Sequence, residues 1–401
     1  MSTKTLPIRT LGVALVLTLG LALGLAAPAE ANHAVQLDEV MAGAFGRPEI
    51  QFVEVKLADC AQGDWEGIAR LVAFDAADQV VGEHLFPADA PVDCGVTRQS
   101  ILIGTQAFAD LASAPDPDFL IPPLLAPRDG KVCFLTSIAT LCLSYGRFLG
   151  NSQQGSADNA PALSPEGICA LQRDAFFGDF TSPSFNEDFA LAAPAPRNGL
   201  GTAGTVAVPP RFIDVPASSP FRPFVEALFN QGITGGCGGG AFCPQVPVSR
   251  SQMAVFLLLA LEGPGFQPPP CEDPVFTDVP CSNPFAPWIQ ELAARGITGG
   301  CGGGAYCPED PVTREQMAVF LLAAADGPAA ELPVCAEDPF DDVPCSSPFA
   351  PWIQELAARG VTGGCSGSDY CPGDPVTREQ MAVFLSVLFE LPVPSASCPA
   401  P

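Results

Sequence analysis

The sequence predicts two architectures in one chain: an all-β sandwich at the N-terminus and a mainly α-helical module of three repeated units behind it. Three observations carry this. In the C-terminal half, Cys237, Cys301 and Cys365 recur at a step of 64 residues, as do Met253, Met317 and Met381. A fixed period of this kind marks units that complete one another's cores. From Val35 to about Asn198 the apolar residues instead fall in short β-rich runs bounded by Gly, Pro and Asp, which suggests a sandwich. The 401 residues are 48% apolar, enough to fill real cores in about two or three domains.

Residues 1–31 read as a secretory leader. Lys4 and Arg9 form a positive start, Leu11 to Ala27 an apolar run, and Ala29-Glu30-Ala31 a small-residue cleavage site, with the cut expected between Ala31 and Asn32. A membrane anchor is the alternative, but Pro28 and Glu30 close a short run, and no later stretch approaches the ~18–20 apolar residues of a spanning helix. Export is therefore expected. In an oxidising compartment the 16 cysteines read as a disulfide framework, and the absence of any C-x-x-C pair argues against metal.

Charge narrows the function classes. With 44 acidic and 18 basic residues the chain carries −26 and lacks the basic surface that binds nucleic acid. Lysine occurs only at 4, 56 and 131, and two histidines leave little for imidazole catalysis.

Residues 32–199 form the β domain. Its strands are read at Ile50–Leu57, Val80–Val81, Ile101–Ile103, Lys131–Leu135 and Leu141–Tyr145, with a helical turn at Gln106–Leu111. Asp75 and Asp78 read as hairpin-turn residues. Glu54, Asp59, Asp64 and Glu66 could be taken for the paired carboxylates of glycoside chemistry. In so acidic a chain chance proximity explains them better, and His33 and His84 are isolated. No catalytic residue, cofactor or metal is expected. Residues 200–209 read as a linker.

The repeats span 210–262, 272–326 and 336–391, before a tail at 392–401. Each has two helix signatures. Phe285, Trp288, Ile289 and Leu292 make one apolar stripe, starting at Pro284 or Pro287 and ending at Gly296. The second helix starts at a capping box: Thr313 covers the Gln316 amide and Gln316 reaches back, with Val312 and Met317 as the hydrophobic staple. Ser249–Gln252 and Thr377–Gln380 repeat this. Arg250, Arg314 and Arg378 are not explained by folding of their own helices, because a cation there opposes the helix dipole. Surface solubility, pairing between repeats, or a ligand would each account for them.

A glycine-rich loop joins the helices, and a Cys301–Cys307 bridge would stiffen it; Cys237–Cys243 and Cys365–Cys371 follow. The loop lacks the lysine of a phosphate cradle. Cys271 and Cys281 recur as Cys335 and Cys345, while the first copy has Ala207 and Ala217, so both partners vanish together. That joint loss pairs Cys271–Cys281 and Cys335–Cys345. Cys60, Cys94, Cys133, Cys142, Cys169 and Cys398 remain unassigned.

Phe-x-Asp-Val-Pro, the Trp-bearing helix, Gly-Ile-Thr-Gly-Gly and Val-Thr-Arg-Glu-Gln-Met-Ala-Val-Phe-Leu together resemble S-layer homology repeats over about 207–391. The resemblance implies a pseudo-threefold helical module whose inter-repeat grooves bind a peptidoglycan-associated polysaccharide, often pyruvylated. It assigns to those grooves Arg250, Arg314, Arg378, Trp288, Trp352, Asp214, Asp278 and Asp342. Core packing is an equal reading for the two tryptophans, and turn capping for the aspartates. Phe224 replaces the tryptophan in the first copy, which is expected to be degraded or to act as a cap. Leu37–Met41, Ile50–Val55, Cys169–Arg173 and Asp188–Asn198 resemble a lamin-tail-type immunoglobulin-like sandwich, a family of non-catalytic binding or tethering modules. The combined expectation is an exported envelope protein, at the cell surface or in the periplasm. Its repeats would hold cell-wall polysaccharide or peptidoglycan, and its sandwich would meet other surface proteins. A secreted adhesion scaffold is the runner-up and a secreted hydrolase a distant third.

Overall fold

A computed structural model describes residues 35–398 apart from 59, 94, 96–97, 138–139, 151–157, 164–166, 174–185, 330, 336, 339 and 396–397. The leader and its Ala31/Asn32 cut lie outside the described residues, as do Cys94 and the side chain of Cys60.

Among the described residues, ten strands build the N-terminal region: β1 Val35–Ala44, β2 Arg47–Leu57, β3 Arg70–Asp75, β4 Val80–Leu85, β5 Gln99–Thr105, β6 Phe119–Ile121, β7 Gly130–Leu135, β8 Thr140–Tyr145, β9 Ala170–Arg173 and β10 Phe189–Ala192. One sheet runs β10-β9-β1-β2-β5-β6 and the other β4-β3-β7-β8. Pairing is antiparallel except for β5 with β6. Strand alternation explains the core: Val53, Val55, Ile101 and Ile103 of the first sheet share one buried cluster with Leu71, Ala73, Val132 and Phe134 of the second. The β3 strand is missing from the sequence reading. The predicted turn is present, with the Asp75 carboxylate accepting the amides of Ala77 and Gln79, and the helical turn is α1, Gln106–Ala109. His84 lies on the edge strand β4, its ring against Phe86.

The outer face of the first sheet carries a second cluster: Met41, Ile50, Phe52 and Leu102, covered by Phe108 and by Val206 and Val208. This corrects the reading of 200–209 as a linker. Its composition is loop-like, but Val206 and Val208 alternate and bury, while Thr205 and Ala207 donate to the carbonyl and hydroxyl of Ser113.

Among the described residues, six helices follow: α2 Arg222–Asn230, α3 Arg250–Glu262, α4 Ala286–Ala294, α5 Arg314–Asp326, α6 Ala350–Ala358 and α7 Arg378–Leu388. Pro287 sits in the first turn of α4, which settles its start. Its end is a Schellman motif: Gly296 (φ 71°) donates to Ala293 and Ile297 to Leu292. The staple residues Val312 and Met317 are buried. The capping box is complete only at Thr377–Gln380. Ser249 and Thr313 cap their helices, but the Oε1 atoms of Gln252 and Gln316 are buried without a partner, so these two glutamines do not reach back.

Each second helix packs on the first helix of the next unit: α3 on α4, α5 on α6, and α7 back on α2. One apolar cluster runs through all three units. All five repeat disulfides inferred from sequence are present. Two more join Cys133–Cys142, across β7 and β8, and Cys169–Cys398, which ties the C-terminal tail to the β domain. The first repeat also meets that domain directly. Arg222 stacks on the Phe45 ring at 4.4 Å, and Asn230 Nδ2 donates to the Phe45 carbonyl.

Candidate functional site

The seams between repeats are where the sequence-selected residues converge. Each arginine opens a second helix and crosses to the next unit. Arg250 Nε donates to the Tyr306 carbonyl at 2.8 Å, Arg314 Nε to that of Tyr370 and Arg378 Nε to that of Phe242, both at 2.7 Å. The guanidinium groups lie over the rings of the same three aromatics, 4.6–4.8 Å from their centroids. Tyr306 and Tyr370 return the bond through their hydroxyls, to the Arg250 and Arg314 carbonyls. All three arginines are buried, at 3–5% exposure.

The same crossing satisfies the helix N-termini. The first-turn amides, which have no partner within their own helix, find carbonyls in the neighbouring loop: Arg250 on Asp310, Arg314 on Asp374 and Arg378 on Val246. An arginine at the positive end of a helix is thus explained by the acceptors it reaches in the next repeat. Burial pushes the Arg250 and Arg378 guanidinium pKa values down, opposed at Arg250 by Tyr306, Asp310 and Asp278 and at Arg378 by Asp214.

The three aspartates each grip a loop of their own repeat. Asp214 accepts the amides of Phe242 and Cys243, Asp278 those of Tyr306 and Cys307, and Asp342 those of Tyr370 and Cys371, all within 2.8 Å. They grip a loop 28–29 residues onward, and not the turn that follows them. The second cysteine of each loop takes a left-handed φ of 57–60°, which the carboxylate and the disulfide hold. Burial works against ionisation of Asp278, yet the backbone amides of Tyr306, Cys307 and Asp278 itself, with the nearby Arg250, outweigh it and hold the carboxyl below the usual aspartate value.

Beside Arg378 a pocket of about 210 Å³ opens at the seam of the third and first units. Thr234, Gly235, Gly236, Gln252, Phe256 and Phe285 are among the residues lining it. Trp288 and Trp352 are not in this lining. They are half-buried against the repeat core, Trp288 with its edge to Phe266. The aromatic wall of the pocket comes from Phe256 and Phe285. Thr234 and Gln252 were missed because their positions read as turn and cap. The only sequence signal for the pocket is the 64-residue step that sets Ile-Thr-Gly-Gly beside an arginine.

The three seams differ in detail. Arg314 and Arg378 reach Thr362 and Thr234 with Nη2, at 3.3 and 3.5 Å. Arg250 Nη2 is buried without a partner. Arg295 pairs with Glu262, and Arg359 with Asp326, across the first two seams. The ring-closing seam has Gln231 at the equivalent position and Phe242 in place of a tyrosine. Among the described residues, no three His, Cys, Asp or Glu side chains come together to hold a metal ion, and no helix is long and apolar enough to cross a membrane.

The family model of the S-layer homology domain matches this chain three times, at residues 211–254, 275–318 and 339–382. The chain carries three S-layer homology domains. Each match begins at or beside the Phe-x-Asp motif and ends in the second helix of its unit, so every S-layer homology domain contributes one gripping aspartate and one seam arginine. A curated relative, an endoglucanase of Bacillus sp. (strain KSM-635), is 29% identical over 181 residues, which is 44% of this chain. The chain spans 18% of that relative's length.

Proposed function

We propose that this is an exported, non-catalytic protein of the cell envelope, held at the surface by its three S-layer homology domains. The ligand is a cell-wall polysaccharide bearing carboxylate groups, such as a pyruvylated glycan, bound where the repeats meet in a pseudo-threefold module. One observation carries this reading: two of the buried polar atoms left without a protein partner lie at the seams. Gln252 Oε1 is buried and unpartnered beside Arg378 in the 210 Å³ pocket, and Arg250 Nη2 is buried and unpartnered one seam on. The buried Arg250 Nη2 donor without an acceptor costs about 1–3 kcal/mol, which a sugar carboxylate would restore, while Gln252 Oε1 is an acceptor and would take a sugar hydroxyl. Phe285 offers the flat apolar surface that the face of a sugar ring fits.

The β domain, by its resemblance to lamin-tail immunoglobulin-like sandwiches, is the displayed part and would meet a surface partner. The likeness to the endoglucanase covers too little of that protein to carry its activity here. Hydrolysis would need carboxylates facing an open cleft, whereas Glu39 and Glu54, paired across β1 and β2, are buried at 3% exposure each.

Sedimentation of the full chain with purified cell-wall sacculi tests the proposal. Gln252→Leu with Phe285→Ala should weaken co-sedimentation while the thermal transition stays within a few degrees of wild type. Undiminished binding in that variant would remove the pocket from the site. A wild-type chain that stays in the supernatant would favour a soluble scaffold.

A further inference from the structure

We propose that the first repeat is the centre of glycan binding, engaged through the seams on both of its flanks, and that the seam opened by Arg314 is structural. This rests on the polysaccharide reading above and assigns it to particular seams. The three seams are built from equivalent residues. Arg378 lies over the Phe256 ring at 5.3 Å and lines the pocket together with Phe256 and Gln252. One seam on, Arg250 lies over the Phe320 ring at 5.2 Å, and Gln316 stands four residues before Phe320, on the same face of α5. At the last seam Arg314 lies over the Phe384 ring at 5.9 Å, with Gln380 four residues before it on α7.

The seams differ in which of these groups are already occupied. Beside Arg250, both Arg250 Nη2 and Gln316 Oε1 are buried with no partner among the described residues. Beside Arg378, Gln252 Oε1 is buried in the same state, and Arg378 Nη2 has only a 3.5 Å contact to Thr234, at the far limit of a hydrogen bond. At the Arg314 seam both groups are taken. Gln380 Oε1 accepts the Thr377 amide at 3.1 Å, and Arg314 Nη2 donates to the Thr362 hydroxyl at 3.3 Å. A sugar carrying a carboxylate and a free hydroxyl would therefore complete the first two seams, the carboxylate on the guanidinium and the hydroxyl donating to the glutamine oxygen. At the third it would have to displace bonds already made.

Both incomplete seams belong to the first repeat, which supplies Thr234 and Gln252 to one and Arg250 to the other. That is the opposite of the degraded copy that Phe224 suggested. The same repeat meets the β domain through Arg222 and Asn230. Two sites flanking one repeat let a polymer with recurring acid groups engage both at once, so loss of either costs more than half of the binding.

One substitution made at three equivalent glycines tests this. Gly235, Gly299 and Gly363 each follow the threonine of a seam, and a Cβ at any of them meets nothing within 4 Å. Leucine there fills the mouth of the seam at a matched cost to folding, which thermal midpoints check. In sedimentation of the full chain with purified cell-wall sacculi, Gly235→Leu and Gly299→Leu should each weaken apparent affinity at least about tenfold, and Gly363→Leu less than about twofold. Gln316→Met removes an oxygen that no protein group uses, so it should weaken binding without lowering the midpoint. Equal behaviour of the three leucine variants, loss confined to Gly363→Leu, or unchanged binding of Gln316→Met would overturn the assignment and leave the polysaccharide reading standing. A wild-type chain that stays in the supernatant would overturn that reading, and the assignment with it.

Discussion

Val248 donates its amide to the carbonyl of Val376 at 2.9 Å, and this bond closes a circuit. Val376 donates to Val312 at 2.9 Å, and Val312 donates back to Val248 at 3.0 Å. Three residues in equivalent positions thus satisfy one another in a ring at the centre of the helical module. Each is fully buried, so each backbone group would otherwise lack water. The arginines and helix N-termini arrange themselves around this circuit, one seam per arginine.

The ring-closing seam lacks the returning hydroxyl bond of the other two, and one atom could supply it. Phe242→Tyr would place a hydroxyl where Tyr306 and Tyr370 have theirs, within reach of the Arg378 carbonyl. A net gain of about 1 kcal/mol is expected, read as a higher midpoint in denaturant unfolding with an unchanged slope.

The seam arginines are not replaceable by charge alone. Arg314→Ala leaves the Tyr370 carbonyl and the Thr362 hydroxyl without their partner and removes a stacked plane, at about 2–4 kcal/mol. Arg314→Lys should recover less than half of that loss, because an ammonium cannot stack and donate in the same plane. Full recovery in thermal or denaturant unfolding would contradict the planar role.

Two adjacent glycines should respond very differently. Gly300 has φ +89°, and a Cβ there would stand 2.3 Å from the Ala305 carbonyl oxygen. Gly299 has ordinary dihedrals and nothing within 4 Å of the added atom. Gly300→Ala is expected to cost about 2–4 kcal/mol, and Gly299→Ala less than about 0.5 kcal/mol. Equal midpoints for the two variants would show that the loop yields at Gly300.

What could be read from the residues was locally encoded. The 64-residue step, the caps at Ser249, Thr313 and Thr377, the Schellman glycines and five disulfides all depend on neighbours within a turn or a loop. What escaped depends on partners far along the chain. Nothing near Arg250 names Tyr306 as its acceptor, and Glu39 was passed over because its pairing with Glu54 exists only in the strand register. The family resemblance assigned the aspartates to a groove, with turn capping as the equal reading, while the loops they grip come 28–29 residues later. Val206 and Val208 lay within a stretch whose Gly, Thr and Ala content resembles a linker, and their burial shows only once α1 and the sheet are placed around them.

The Cys169–Cys398 bond gives the molecule a mechanical property. The β domain is joined to both ends of the repeat module: the backbone enters through Arg222 and the first repeat, and the sulfur bridge from Cys169 leads into the tail behind the last. These attachments lie on either side of the α7–α2 seam, which has neither the tyrosine hydroxyl nor the arginine–acid pair of the other two. A pull on the β domain is therefore divided between two load lines that meet across the ring-closing joint, and the covalent line stops that joint from being peeled apart.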